Sequence, residues 1–307
     1  MTAAPPLASA DRCLPNGGLP AASLPSPSTV GGHIAARGLC IELGRGADRF
    51  EALHDVSFEV EPGEFVCLLG PSGCGKSTLL GALAGHVEAS RGALSVDGAP
   101  VAGSGPERGL VFQHHTLFPW LRVVDNVAYG LRMRGVARAE RRERASRLLE
   151  QVGLREFARH YPAQLSGGMQ QRVEIARVLI NEPRVLLMDE PFGALDALTR
   201  LHMQELLVRL WSARRPTVVF VTHDIDEALF LADRILVLGP RPGRLVDVLP
   251  VPAPRPRTAD WLTDPRFGRL KRHCLALLRH EERQEPLERL SPIGLPEVSP
   301  PSWRFAS

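Results

Sequence analysis

"FVCLLGPSGCGKSTLL", Phe65 to Leu80, holds a strand signal, a helix signal and a chemical signal between them. The run from Phe65 to Gly70 is continuously apolar, the pattern of a strand buried on both faces of a parallel sheet. Leu79, Leu80 and Leu83 follow at helical spacing. Between them Gly70, Pro71, Ser72, Gly73, Cys74, Gly75, Lys76 and Ser77 fit G-x-x-x-x-G-K-S/T, with Thr78 completing the loop. Gly73 and Gly75 allow the backbone to wrap with its N–H groups aimed at phosphate, and the helix start adds a favourable dipole. Lys76 neutralises β- and γ-phosphate charge, and Ser77 is placed to offer its hydroxyl oxygen to Mg2+. Lys76 and Lys271 are the only lysines, the remaining cationic side chains being arginine, so a lysine at this position is informative.

Three further runs are apolar up to a polar end: "GLVFQ" (109 to 113), "VLLMDE" (185 to 190) and "TVVFVTH" (217 to 223). Strands alternating with amphipathic helices from about Ile34 to Pro250 predict an α/β domain with a mainly parallel sheet. Ligands in such folds bind beyond the carboxyl ends of the strands. The four runs end at Gly70, Gln113, Asp189 with Glu190, and His223, which are therefore expected to converge. Asp189 suits a carboxylate that supports Mg2+, and Glu190 a group that orients or deprotonates the attacking water. Gln113 serves as a neutral ligand to Mg2+ or water, and His223 as a donor to the γ-phosphate. From residue 114 to about 168 no strand-like run appears, and "RRERASRLLEQVGL" (141 to 154) reads as a charged helix, so a helical subdomain is inserted there.

The chain has 307 residues, 44% hydrophobic and 23% charged, ample for one medium domain or two small ones. Its apolar runs fall far short of the roughly 20 residues needed to span a bilayer, and a signal-peptide pattern is lacking, so a cytoplasmic protein is expected. A net charge of +3 gives no reason to expect nucleic-acid binding. Five scattered cysteines without CxxC spacing suggest reduced thiols. Residues 1 to 33, rich in Pro, Ala, Ser and Gly, are expected to form a disordered leader. Residues 251 to 307 form a short tail with one helix from Pro265 to about Arg283, presenting Phe267, Leu270, Cys274, Leu277 and Leu278 on one face and packing back on the core.

A second glycine-rich helix start, "LSGGMQQR" (Leu165 to Arg172), precedes Met169, Val173, Ala176 and Ile180 on one helical face. With it the chain resembles the nucleotide-binding subunits of ATP-binding-cassette (ABC) transporters over roughly residues 34 to 250. The Walker A loop is Gly70 to Ser77, the Q-loop glutamine Gln113, the signature Leu165 to Gln170, the Walker B strand "VLLMDE", the D-loop Gly193 to Asp196 and the switch histidine His223. The resemblance implies an α/β P-loop NTPase core, an antiparallel β region near the N-terminus and the inserted helical signature subdomain. It also implies a head-to-tail homodimer in which ATP with Mg2+ lies between the Walker A loop of one copy and Ser166, Gly167, Gly168 and Gln170 of the other. The family's adenine-stacking aromatic is replaced by Gly46, Ala47 and Asp48, leaving Phe50 as the nearest ring for that role or for packing.

Finer features resemble the nitrate, sulfonate and taurine importers: "GPERGLVFQHHTLFPWLRVVDNVAYGL", "MDEPFGALDALTR" and "LGPRPGRLVDVLPVPAPRPR". "GPERG" and "LLVRLW" lean toward taurine import, with nitrate or another small solute as the alternative. The resemblance implies transmembrane permease partners, a periplasmic solute-binding protein acting indirectly, and a peripheral place on the cytoplasmic face of the bacterial inner membrane. The segment from His114 to about Gly130, with Phe118, Pro119 and Trp120, resembles the surface that receives a permease helix. A soluble ABC ATPase acting on DNA or ribosomes is the rival class, but its long coiled-coil or zinc insertions, or its second cassette, are lacking here.

Overall fold

The computed structural model describes residues 31–283, so most of the expected leader and the Pro-rich end lie outside the described residues. The elements run β1 (Ile34–Leu43), β2 (Phe50–Val60), β3 (Phe65–Leu69), α1 (Lys76–Ala84), β4 (Arg91–Val96), β5 (Ala99–Pro100) and β6 (Arg108–Val111). Three helices follow without a strand, α2 (Val123–Val127), α3 (Tyr129–Met133) and α4 (Arg138–Gln151), then α5 (Gly167–Leu179). The chain returns to the sheet with β7 (Val185–Asp189), α6 (Ala197–Arg214), β8 (Thr217–Thr222), α7 (Ile225–Leu231), β9 (Arg234–Leu238) and β10 (Leu245–Pro250), and closes with α8 (Ala259–Thr263) and α9 (Pro265–Arg283).

Two sheets form, one of order β2-β1-β4-β5 and one of order β10-β9-β3-β8-β7-β6. The first is antiparallel. In the second, β9, β3, β8, β7 and β6 are mutually parallel and only β10 runs against its neighbour. Every residue of β3 and β8 is buried, which is why β3 is apolar throughout and β8 is apolar between its terminal threonines, with no alternation. The strand period still sorts side chains between two cores. Phe65, Cys67 and Leu69 of β3 face the helices of the inserted subdomain, α6, α7 and α9. Val66 and Leu68 face the antiparallel sheet and Leu79, Leu80 and Leu83 of α1.

Register places the functional ends together. Leu69 pairs with Thr222, Asp189 with Val221, and Val111 with Met188, so β3, β8, β7 and β6 finish on one edge. Two sequence expectations change in detail. Gly31 to His33 are not leader: Gly31 and Gly32 are buried, Gly32 donates its N–H to the Arg184 carbonyl at 3.0 Å, and the Thr217 hydroxyl donates to the Gly32 carbonyl at 2.6 Å. The tail contains the expected α9 preceded by α8, which Trp261 fastens by donating its indole N–H to the Leu229 carbonyl at 2.9 Å.

Candidate functional site

The loop from β3 to α1 is shaped by backbone that side chains do not tolerate. Gly75 caps α1 with φ +97°, and a Cβ there would meet the Ala52 carbonyl at 2.9 Å. Lys76, 6% exposed, folds back so that its ammonium donates to the carbonyls of Gly70 and Pro71, each at 2.9 Å. These contacts hold a cation inside the loop's curve, while Ser72, Gly73 and Ser77 are exposed on it, Pro71 and Thr78 are half-buried, and Cys74 packs inward.

The Ser77 hydroxyl donates to Asp189 Oδ1 at 3.1 Å, joining the start of α1 to the end of β7 across the shared edge. Burial raises the Asp189 carboxyl above its ordinary value; the Ser77 hydrogen bond opposes this, and the charge of Glu190 adds to it. The next residue turns: Glu190 has φ +41°, its N–H donates to the Val221 carbonyl at 3.0 Å, and its Oε2 lies 3.0 Å from His223 Nδ1. Consecutive acids are thereby sent to different work, Asp189 to the loop and Glu190 to the histidine at the end of β8. Asp224, beside His223, caps α7 by accepting from the N–H groups of Asp226 and Glu227. Its other oxygen pairs with Arg200 of α6 at 3.1 Å.

Gln113 is not drawn into this cluster. β6 ends at Val111, two residues before the predicted strand end, and Phe112 (42% exposed) and Gln113 lie on an exposed bend. The chain after Gln113 is tied elsewhere. The buried carboxylate of Glu174 on α5 accepts from the Thr116 N–H and from its hydroxyl (3.0 Å), with His115 Nδ1 at 3.5 Å. Glu174 thus links the Gln113 loop to the signature helix, a role that one sequence does not reveal.

Ser166 is the N-cap of α5, its Oγ accepting from the Met169 N–H at 3.4 Å. Ser166 and Gly167 are exposed, and the first N–H groups of α5 have no partner further back in the helix. Gly168 is half-buried against Thr199. Gln170 is differently employed: its amide donates to the carbonyls of Pro162 (3.0 Å) and Leu165 (3.2 Å), bracing the turn that aims the helix start. Asp196, at the end of the D-loop, caps α6 through the Thr199 N–H at 3.0 Å, and that backbone hydrogen bond lowers its carboxyl.

On the helical subdomain, buried Asn126 accepts from the Phe118 N–H at 2.8 Å and donates to the Phe118 and Leu121 carbonyls at 3.1 and 3.0 Å. This latch displays Trp120, 71% exposed, beside a half-buried Phe118 whose ring packs on Tyr129 at 4.6 Å. Phe50, at the start of β2, is 38% exposed, with the Arg241 guanidinium 4.5 Å above its ring.

The sequence pattern of the ABC transporter family matches residues 53–193. The taurine import ATP-binding protein TauB of Chromobacterium violaceum is 52% identical over 239 residues, covering 76% of this chain and 92% of its own length. The chain belongs to the ABC transporter family. A putative ATP-binding protein of Brucella abortus is 48% identical over 235 residues, covering 76% of this chain and 90% of its own. Among solved structures, a dimeric post-hydrolysis state of the ATP-binding cassette MJ0796 bound to ADP and Pi matches with a TM-score of 0.64 and 33% identity, over 72% of this chain and 99% of that one. The chain is an ABC ATPase, the ATP-binding and ATP-hydrolysing subunit of an importer. No helix among the described residues is long and apolar enough to cross a membrane.

Proposed function

We propose that this subunit drives import of a small sulfonate, taurine or an aliphatic sulfonate, as a head-to-tail homodimer bound to permease subunits on the cytoplasmic face of the bacterial inner membrane. Residues 34 to 250 form the ATP-binding domain and the following segment a packing tail. A periplasmic solute-binding protein delivers the solute to the permease. The solute assignment rests on the likeness to TauB proteins. The observation that carries the hydrolytic reading is the Glu190 Oε2 to His223 Nδ1 contact of 3.0 Å beside the Ser77 to Asp189 contact of 3.1 Å.

In this reading Gly70 to Thr78 wrap the nucleotide phosphates, and the Lys76 ammonium moves from its two carbonyls to phosphate oxygen. Ser77 and Asp189 present two oxygen donors side by side, a set suited to a hard cation such as Mg2+. That ion would supply charge neutralisation at the phosphates. Glu190 accepts the proton of the attacking water, and His223, held by Glu190, orients a donor toward the terminal phosphate. Ser166 and the free N–H groups of Gly167 and Gly168 complete the site of the partner copy. Gln170 acts from behind by fixing that helix start. Gln113 reaches the phosphates from its exposed loop, where its connection through Thr116 and Glu174 ties the movement to the signature helix. Trp120 and Phe118 offer the permease an apolar anchor.

The test is reconstitution with its permease and a solute-binding protein, measuring ATP turnover with taurine, alkanesulfonates and nitrate. Taurine or an alkanesulfonate is expected to stimulate turnover; stimulation by nitrate alone overturns the solute assignment.

A further inference from the structure

The stretch Gly239 to Arg244, "GPRPGR", lies within "LGPRPGRLVDVLPVPAPRPR" and has no part in the chemistry above. It leaves the end of β9 and turns back into β10, closed by the Gly239 N–H donating to the Arg244 carbonyl at 3.0 Å. It is fastened to β2 on both sides of Gly243, whose N–H donates to the Ala52 carbonyl while its carbonyl accepts from the His54 N–H, each at 2.9 Å. Its other side presses on the phosphate-binding loop. A Cβ on Gly243 would lie 2.0 Å from the Cys74 carbonyl oxygen, so only glycine allows this approach. The loop is thus clamped between β2 and the Walker A backbone.

Arg241 extends from this clamp. Its guanidinium carbon stands 4.5 Å from the centroid of the Phe50 ring. Its Nη2 lies 3.8 Å from where a Gly73 Cβ would point, so the same group also borders the exposed side of the phosphate-binding loop. Among the described residues no carboxylate pairs with it. An exposed arginine fixed at its backbone, set over an aromatic ring and lacking an acid partner is equipped to stack on a further π-system, since the guanidinium is planar and weakly hydrated.

We propose that Arg241 is a nucleotide-binding residue that forms, with Phe50, the shelf for the purine base. This rests on the reading that Gly70 to Thr78 hold the nucleotide's phosphates. Lys76 and the loop N–H groups already meet the phosphate charge, so Arg241, on the Phe50 side of Gly73, acts on the base.

Calorimetric titration of the full chain with Mg-ATP and with inorganic tripolyphosphate, which has no base, tests this. Arg241→Ala is expected to weaken ATP binding roughly tenfold, a loss typical of a stacked cation, and to leave tripolyphosphate binding unchanged. Phe50→Leu is expected to give a similar loss, and the double variant to lose about as much as either single one, because the two side chains form one surface. Unchanged ATP binding in either single variant overturns the shelf. An equal loss for tripolyphosphate also overturns it, making Arg241 a phosphate ligand. Lys76→Ala separates the premise: if tripolyphosphate binding survives it, the phosphate-loop reading itself is wrong.

Discussion

Replacing Glu190 by Gln changes one atom type at the residue proposed to take the proton of the attacking water. The side chain keeps its size, and the backbone φ of +41° is no harder for Gln than for Glu, so the turn after β7 is preserved. The Ser77 to Asp189 contact at 3.1 Å is untouched, which leaves the groups proposed to hold the phosphates and cation in place. What disappears is the carboxylate charge 3.0 Å from His223 and the capacity to take a proton from water. Loss of a positioned general base costs about 10²- to 10⁴-fold in rate, or about 2.7 to 5.5 kcal/mol in barrier. Turnover, followed by phosphate release, is therefore expected to fall by that factor while the ATP dissociation constant moves by less than about threefold. Because the proposed site is completed by the partner copy before water attacks, ATP that is held but not hydrolysed should shift the variant from monomer to dimer in analytical ultracentrifugation. Turnover above about one-tenth of the unsubstituted protein would refute Glu190 as the base. A parallel collapse of ATP binding would instead place Glu190 among the holding groups.

Ser166→Arg puts a long cation on the exposed start of α5. It removes a cap hydrogen bond of 3.4 Å, a cost of about 1 kcal/mol, but its main effect falls on the partner's site. Hydrolysis should drop about 10²- to 10³-fold with nucleotide binding to the monomer intact; a fully active variant would sink the shared site. Glu227, 5% exposed, has its carboxyl raised by burial, opposed by hydrogen bonds from Thr222 and Gln204. A folded value above the unfolded one means the ionised form burdens the fold at neutral pH, and the burden fades as pH falls through the folded and then the unfolded value. Glu227→Gln should thus raise Tm at pH 8, with the gain shrinking toward pH 4 in thermal scans; a gain that grows on acidification contradicts the assignment.

The parts of the site written in one short stretch were legible, because a buried strand, a glycine turn and a helix leave contiguous signals. Gly70 to Thr78 and the ends at Asp189, Glu190 and His223 are of this kind, and the parallel registers bring them to one edge. Gln113 shows the limit: as an edge strand β6 is only half-buried until Val111, and the apolar Phe112 that follows lies beyond the strand and is 42% exposed. Glu174 was not legible at all. Its partner Thr116 lies 58 positions away, and nothing in a helix reading distinguishes a buried glutamate from a solvated one. Asn126 was hidden for a related reason, since its value lies in latching a turn whose visible residues are Phe118 and Trp120.

The tail gains a physical role from the same logic. Arg257, 5% exposed, donates to the carbonyls of Phe230 and Ala232 at the end of α7 and to that of Val251 after β10, and burial brings its guanidinium down to about 10. Arg255 pairs with Asp233 at 2.8 Å, and Asp233 in turn accepts the Phe65 N–H at 3.0 Å at the start of β3. Lys271 of α9 pairs with Asp226 in the first turn of α7 at 2.7 Å. These contacts grip both ends of the helix that follows His223 and the strand that leads into the Arg241 loop. Helix α7 has only seven residues, too few to hold its orientation by its own hydrogen bonds. The tail supplies what α7 lacks, so the helix after His223 and the strand before the Arg241 loop are both held by this segment.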